Sequence, residues 1–141
     1  PAVLPEGQAF EVGKAVELRG GEDVTLVATG TTVCRALAAA ELLAAQGRQA
    51  RVLDLHTLKP LDAEALVRAA RETGRVVTVE EAYVEGGMGS AVAALLAQRC
   101  PVPMRILGVT GFAPTGDPGF LLDHFGLDPA GIARAALELL T

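Results

Sequence analysis

Four short apolar runs of strand length recur along the chain, and each is followed by a segment that could form a helix. The runs occupy residues 24–29, 51–56, 76–80 and 104–109. Strands that are apolar almost throughout are typical of a sheet covered by helices on both faces. Repeated strand–helix–strand order favours right-handed crossovers and parallel pairing. The alternation therefore predicts a doubly wound α/β domain.

The segments between the runs carry helix signals. Val33, Leu37, Ala40 and Ala44 form one stripe of a helix that is expected to end near Gly47. Further helices are predicted at about 62–74, 90–101, 118–125 and 129–140, three of them opened by the N-capping aspartates Asp62, Asp117 and Asp128.

A short strand is predicted ahead of the first run. It covers residues 14–18, and Gly20-Gly21 then turns the chain toward residues 24–29. So brief a connection is typical of antiparallel neighbours. We therefore predict a mixed sheet in which this strand lies at an edge, beside strand 24–29.

The length and composition restrict the class of protein. The 141 residues fit one domain, with a net charge of −5, 4% aromatic residues and no Trp. An acidic, aromatic-poor chain argues against a nucleic-acid partner. The longest uncharged run, residues 86–98, is too short to cross a membrane. The two cysteines do not have the CxxC spacing of a metal or redox site, and we expect both to be buried. We predict a soluble cytoplasmic protein.

The domain organisation is predicted to be simple. Residues 1–13 are interpreted as a linker from an upstream domain, and residues 14–141 as the domain itself. The chain begins at Pro1 without an initiating Met, which is typical of a fragment.

Two glycine-containing turns follow predicted strands at the edge where open parallel sheets bind ligands. Their residues are Gly30, Thr31 and Thr32 in the first turn, and Gly86, Gly87, Gly89 and Ser90 in the second. Backbone N–H groups at a helix start attract anions, so an anion site is one interpretation. Neither turn matches GxGxxG or the P-loop pattern, and such turns also simply close tight α/β units. A structural turn is the favoured interpretation of both.

Polar side chains end two of the predicted strands, at His56 and at Glu80-Glu81. Adjacent strand residues point to opposite faces, so the two carboxylates are not expected to form an acid/base pair. One of them could cap nearby amides or meet a cation of a partner, and a structural or interface role is favoured. His56 could act as a general base, but no Ser or Cys is positioned by the sequence as a nucleophile for it, which favours a partly buried structural histidine.

The remaining polar residues indicate no catalytic centre. His124 is predicted to face solvent, and two distant histidines without clustered carboxylates argue against a metal site. Arg105 lies inside a predicted strand, and Glu80 or Asp54 is its expected partner. We assign no catalytic residue, no cofactor-binding residue and no metal ligand.

An ordered set of motifs resembles a known family. The motifs are GEDVTLVATG at 21–30, LHTLKPLD at 55–62, VTVEE at 77–81, GGMGSAV at 86–92, and FAPTG at 112–116 followed by HFGL at 124–127. From about residue 10 to 140, this succession resembles the C-terminal domain of transketolase-like thiamine diphosphate enzymes. The resemblance implies a three-layer α/β/α domain with a five-stranded mixed sheet whose first strand is antiparallel, in agreement with the pattern above.

The resemblance also implies a function. In such enzymes two other domains bind thiamine diphosphate and Mg²⁺ and carry the catalytic groups. This chain would then be a non-catalytic domain that supports the homodimer of a transketolase, an enzyme that moves two-carbon ketol units between sugar phosphates. Its partners would be the upstream pyrimidine- and diphosphate-binding domains or subunit.

Other functions stay open at this point. The same domain occurs in 1-deoxy-xylulose-5-phosphate synthase and in the β subunit of 2-oxo-acid dehydrogenases. The motif at 80–90 is more similar to the split bacterial transketolase subunit or to the synthase than to full-length classical transketolases, and we prefer the bacterial transketolase, with the synthase as the first alternative. A stand-alone anion-binding module, using the two glycine turns, is a second alternative.

Overall fold

The computed structural model describes residues 3–4 and 6–141, which alternate between strands and helices as predicted. The strands are β1 (Val16–Arg19), β2 (Val24–Ala28), β3 (Ala50–Asp54), β4 (Val76–Tyr83) and β5 (Met104–Val109). The helices are α1 (Thr32–Ala44), α2 (Ala63–Thr73), α3 (Met88–Arg99), α4 (Pro118–His124) and α5 (Pro129–Leu140). Within the described residues, no helix is both long and apolar enough to cross a membrane.

The five strands form one mixed sheet in the order β1-β3-β2-β4-β5. The pairs β2–β3, β2–β4 and β4–β5 are parallel, and β1 runs antiparallel to β3 at an edge. The predicted mixed sheet with an antiparallel first strand is therefore confirmed. The carboxyl ends of four parallel strands lie at one edge of the sheet.

The predicted neighbour of β1 is wrong. β1 pairs with β3, with Val16 opposite Asp54, and not with β2. Both sides of β2 are taken by β3 and β4, so no free edge is left for β1. Residues 20–23 must cross two strand spacings, roughly 10 Å. Four residues reach about 13 Å when extended, so the short connection suffices without joining sheet neighbours.

Helices cover both faces of the sheet and make the three layers. One core lies beneath α1 and α5, and a second lies beneath α2 and α3. Consecutive residues of β2 divide between them, since Leu26 packs in the first core and Val27 in the second. This is why the β2 run is apolar at every position.

Two of the four residues in the predicted stripe of α1, Val33 and Ala40, are buried, and the other two are not. Leu37 and Ala44 are only half-buried, whereas Ala36, Ala39 and Leu43 are fully buried. Small alanine side chains let α1 approach both the sheet and α5 closely. The buried face of α1 is therefore wider than the single stripe that was predicted.

Aspartates begin three of the helices, as predicted. The side chains of Asp117 and Asp128 accept hydrogen bonds from the amides of the third residue that follows each. Asp62 does the same for Ala65 and also accepts a 2.9 Å hydrogen bond from the amide of Ala15. The N-cap of α2 thereby fixes the segment that leads into β1.

The predicted linker lies partly outside the described residues, since residues 1, 2 and 5 are not among them. Residues 3–4 and 6–13 contain no helix or strand. Near their end, the ring of Phe10 lies 4.4 Å, centroid to centroid, from the ring of His56. The boundary between residues 13 and 14 stays a prediction.

The hydroxyl of Thr78, in β4, is buried and has no hydrogen-bond partner among the described residues. An unsatisfied buried polar group costs about 1–3 kcal/mol. We expect Thr78→Val, which keeps the shape, to raise the free energy of unfolding in urea by about 1 kcal/mol. Thr25→Val is the matched control, because the Thr25 hydroxyl is equally buried but lies 2.8 Å from that of Thr73. Thr25→Val should lose stability. A loss of stability in both variants would contradict the conclusion that the Thr78 hydroxyl has no hydrogen-bond partner.

Candidate functional site

The candidate residues lie at the carboxyl edge of the sheet but do not form one site. The Thr32 hydroxyl is 2.9 Å from the carbonyl oxygen of Val79, so the first glycine turn contacts β4. His56 follows β3 and contacts Phe10 in the segment before β1. The two glycine turns thus follow the neighbouring strands β2 and β4, but they lead into α1 and α3 on opposite faces of the sheet.

The carboxylate of Glu80 begins α3. Its Oε2 accepts a 2.7 Å hydrogen bond from the amide of Met88, and its Oε1 accepts a 2.9 Å bond from the amide of Gly89. Glu80 is only 3% exposed, and the dipole of α3 favours its negative charge. Neighbouring Glu81 points to the other face and is exposed. The amides that would attract an anion at this turn already bind a carboxylate of the chain itself.

The second turn is closed around Glu80. A Cβ on Gly87 would lie 2.5 Å from Oε1 of Glu80 and 2.6 Å from the carbonyl oxygen of Tyr83, so only glycine fits there. The Ser90 hydroxyl donates to the carbonyl oxygen of Val84 and accepts from the amide of Gly86. These contacts support a structural role for the turn.

The first turn combines a buried and an exposed threonine. The Thr32 hydroxyl is buried within reach of two carbonyl oxygens, those of Thr29 and Val79, and its single proton goes to one of them at a time. Thr31, the N-cap of α1, makes no side-chain capping hydrogen bond. Gly30 and Thr31 are exposed and line a 380 Å³ cavity together with Cys34.

The predicted burial of the cysteines is wrong, because Cys34 and Cys100 are half-buried free thiols.

His56 and Asp54 form the second group of polar residues. Nδ1 of His56 lies 2.8 Å from the Thr57 hydroxyl, and its buried Nε2 has no partner in the described part of the chain. Asp54 is 8% exposed. Its burial raises the pKa of its carboxyl above 3.8, while the nearby His56 lowers that pKa by a smaller amount. The contacts of this half-buried histidine are the hydroxyl of Thr57 and the ring of Phe10, and neither Ser nor Cys is among them.

The raised pKa of Asp54 predicts a pH dependence. Between pH 3.8 and the raised pKa, the folded chain binds more protons at Asp54 than the unfolded chain does. This contribution to the free energy of unfolding therefore falls as the pH rises through that window. We expect Asp54→Asn to be more stable than the parent above the window and to lack this fall, in urea titrations from pH 4 to 8. Exposed Asp123→Asn should change little. A loss of stability at pH 7 in Asp54→Asn would contradict the prediction.

The predictions for two other polar residues, His124 and Arg105, have different outcomes. His124 is exposed, as predicted, and lies between the rings of Phe120 and Phe125. The predicted partner of Arg105 is wrong: its Nε lies 3.8 Å from Oε2 of Glu138, in α5. The Arg105 side chain is about half exposed on the face that α5 partly covers, so it meets solvent and Glu138 and does not need a partner inside the sheet.

The described residues do not fit thiamine diphosphate with its Mg²⁺. Among residues 3–4 and 6–141, no group of three or more His, Cys, Asp or Glu side chains could hold a metal ion. At the start of α3, the buried carboxylate of Glu80 would repel a diphosphate. We derive no catalytic step through that cofactor from this chain.

An apolar groove at the same edge was not predicted. It encloses about 240 Å³ between α4 and the ends of β4 and β5, and we call it the β4–β5 groove. Its walls include Glu81, Val109, Pro118, Leu121, Phe125 and Leu127. Tyr83, Phe112 and Phe120 are exposed. The sequence did carry a signal for an apolar surface in this region, because residues 106–133 contain aromatic and aliphatic residues but no lysine or arginine.

The fold and these contacts define a class: an α/β domain with an antiparallel edge strand, whose turns at the carboxyl edge are closed by its own side chains. A family model described as "Transketolase, C-terminal domain" matches residues 13–132. The chain belongs to this family.

Similar proteins agree with the family. The 6-deoxy-6-sulfo-D-fructose transketolase subunit SqwH of Clostridium sp. (strain MSTE9) is 51% identical over 95% of this chain and 42% of its own length. An apulose-4-phosphate transketolase subunit of Phocaeicola vulgatus is 44% identical over 93% of this chain and 42% of its own length. A solved structure described as "Split gene transketolase, inactive beta4 tetramer" superposes with a TM-score of 0.96 at 43% identity, covering 99% of this chain and 46% of that one. This chain thus spans less than half the length of these relatives.

Proposed function

We propose that this chain is the C-terminal domain of a thiamine diphosphate-dependent transketolase, which transfers two-carbon ketol units between sugar phosphates. The observation that carries the proposal is the match along nearly the whole chain to subunits named as transketolase subunits. The domain itself supplies no catalytic group, and its role is to support the assembled enzyme.

The division of labour in the parent enzyme follows from this proposal. Thiamine diphosphate and Mg²⁺, which supply the carbanion chemistry when bound, would be held by upstream pyrimidine- and diphosphate-binding domains or a separate subunit. Residues 14–141 form the domain and residues 1–13 the linker, which agrees with a family match that starts at residue 13. We propose a homodimeric, cytoplasmic parent enzyme.

The alternatives are less well supported. The relatives described above are transketolase subunits, which favours transketolase over 1-deoxy-xylulose-5-phosphate synthase and 2-oxo-acid dehydrogenase β subunits. A stand-alone anion-binding module would need free amides at the start of α3. Two of those amides already bind Glu80.

The test of the proposal uses a chimera. In the β subunit of the split-gene transketolase, this chain replaces the matched 46% of that subunit. Together with the complementary subunit, the chimera is expected to restore two-carbon transfer from a ketose phosphate to an aldose. The isolated chain, given thiamine diphosphate and Mg²⁺, should give none. Turnover by the isolated chain, or an assembled but inactive chimera, would contradict the proposal.

A further inference from the structure

We propose that the groove between α2 and α3 binds a small phosphate monoester through three arginine side chains, those of Arg68, Arg71 and Arg99. We call it the arginine groove. It is separate from the turn at 86–90, where the amides of Met88 and Gly89 already bind Glu80. The proposal goes beyond the proposed function and does not rest on it, because it concerns only side chains of this chain.

The arginine groove is a concavity of about 310 Å³. Its lining residues are Glu64, Val67, Arg68 and Arg71 of α2 and Arg99 of α3. The two helices pack against each other on one face of the sheet, above the second core. Arg71 lies in the last turn of α2, and Arg99 is the last residue of α3. Two helices from different parts of the sequence thus line one cavity with positively charged side chains.

The carboxylates of the chain do not neutralise these arginines. The ion pairs in the described part of the chain belong to other arginines, namely Arg19, Arg51 and Arg105. Glu64 precedes Arg68 by four residues, the spacing at which ion pairs form on a helix, yet the two are not paired. Glu72 follows Arg68 by one turn but pairs with Arg51. The groove therefore keeps its positive charge available to an anion.

Folding alone does not account for the gathering of these charges. The chain has a net charge of −5, and three of its 12 lysines and arginines line this one cavity. The helix dipoles favour Arg71 and Arg99, which lie at C-terminal ends, but not Arg68 in the middle of α2. Arg68 and Arg71 are three residues apart, and like charges at that spacing destabilise a helix. An anion between them would replace this repulsion with attraction.

The charge and the donors of the groove select a phosphate monoester. Three arginines and Glu64 leave two positive charges in excess, which matches the charge of about −1.5 to −2 that such a phosphate carries at pH 7. The planar guanidinium group donates paired N–H bonds to phosphate oxygens. The volume lies at the lower end of the range of about 300–1,000 Å³ that is usual for small-molecule sites. The ligand is therefore a phosphate that carries few carbon atoms.

An extended polyanion fits the arginine groove less well. A nucleic-acid backbone is bound by a continuous stripe of basic residues. On the exposed face of α2, Glu64 and Glu72 flank Arg68 and Arg71 and interrupt such a stripe. These carboxylates limit the favourable region to the size of one phosphate group.

A titration of the isolated chain with glycerol phosphate tests the proposal, with binding followed through the backbone amide shifts in proton–nitrogen NMR spectra. Glycerol is the uncharged control, and succinate is a dianion that lacks a phosphate. Sodium chloride holds the ionic strength constant, because screening by salt weakens exposed charge interactions. We expect saturable shifts in α2 and at the end of α3 with glycerol phosphate, none with glycerol, and weaker binding of succinate.

Variants of the lining residues assign the binding to the groove. Arg68→Gln and Arg99→Gln should each raise the dissociation constant for glycerol phosphate at least about tenfold, since each removes hydrogen bonds between charged groups. Arg134→Gln is the matched control and should leave it unchanged, because Arg134 is an exposed arginine of α5, on the opposite face of the sheet. Glu64→Gln should lower the constant about two- to fivefold, because it removes the negative charge from the lining.

The melting temperatures of the variants without ligand separate a binding role from a structural one. We expect Arg68→Gln to melt no lower than the parent chain, because the substitution removes a repulsion between like charges. If the arginines serve only to stabilise helix ends, Arg99→Gln would lower the melting temperature and leave the dissociation constant unchanged. That result would overturn the proposal.

Two further results of the titration would also count against the proposal. Shifts that rise without saturating, or that are the same in the parent and in Arg68→Gln, would overturn the site. Binding of succinate as tightly as glycerol phosphate would overturn the phosphate assignment and identify a carboxylate, such as an acidic side chain of a protein, as the ligand. Two-carbon transfer by the chimera is measured separately, so the failure of either proposal is distinguishable from the failure of the other.

Discussion

The Glu80→Ala variant is expected to lose about 3–6 kcal/mol of its free energy of unfolding. Each hydrogen bond to a charged group contributes about 1.5–3 kcal/mol, and Glu80 accepts two, from the amides of Met88 and Gly89. Both amides are buried and would be left without a partner. Urea unfolding followed by circular dichroism measures the loss.

A conservative variant and a neighbour sharpen this test. Glu80→Gln keeps the shape but removes the charge and one acceptor oxygen, so we expect it to lose about half as much as Glu80→Ala. Glu81→Ala should stay within about 0.5 kcal/mol of the parent, because Glu81 is exposed and accepts no hydrogen bond in the described chain. Similar losses in Glu80→Ala and Glu81→Ala would show that the capping contacts of Glu80 are not what stabilises α3.

The strands and helices could be predicted because their signals are local. Apolar runs, capping aspartates and glycines lie within a few residues of the elements that they define, and the runs at β2 and β5 match the observed strands closely. The position of β1 is different. Its partner, β3, lies more than 30 residues away, and its short connection to β2 gave the wrong neighbour. Pairing of this kind depends on which sheet edge is free, and a local pattern does not contain that information.

The candidate site also combines features that follow from local sequence with features that depend on long-range packing. Alternation along β4 predicts that Glu80 and Glu81 face opposite ways, and capping of nearby amides was one of the predicted roles. Which carboxylate faces α3 depends on how the turn at 86–90 folds back, so the sequence alone left it open. The β4–β5 groove joins residues from the end of β4 with residues around α4, some 40 positions later. Only the packing of α4 onto the sheet brings them together.

The Gly21→Ala variant is expected to lose at least about 3 kcal/mol of its free energy of unfolding, at the upper end for overpacking. A Cβ at this position would lie 2.3 Å from the carbonyl carbon of Ala50 and 2.5 Å from the amide nitrogen of Arg51. These are backbone atoms at the start of β3, and they cannot move without disturbing its pairing with β2. Urea unfolding, or the yield of soluble folded chain if the loss is larger, measures the effect.

Gly20→Ala is the matched control, because the nearest atom to its Cβ would be Oε1 of Glu17 at 3.7 Å, an ordinary contact. It should change the free energy of unfolding by less than about 1 kcal/mol. Equal losses in the two variants would assign the effect to the flexibility of glycine and not to the close approach at Ala50. The pair also tests the position of β1. If β1 lay beside β2, residues 20–23 would not cross the start of β3, and Gly21→Ala would be tolerated as well as Gly20→Ala.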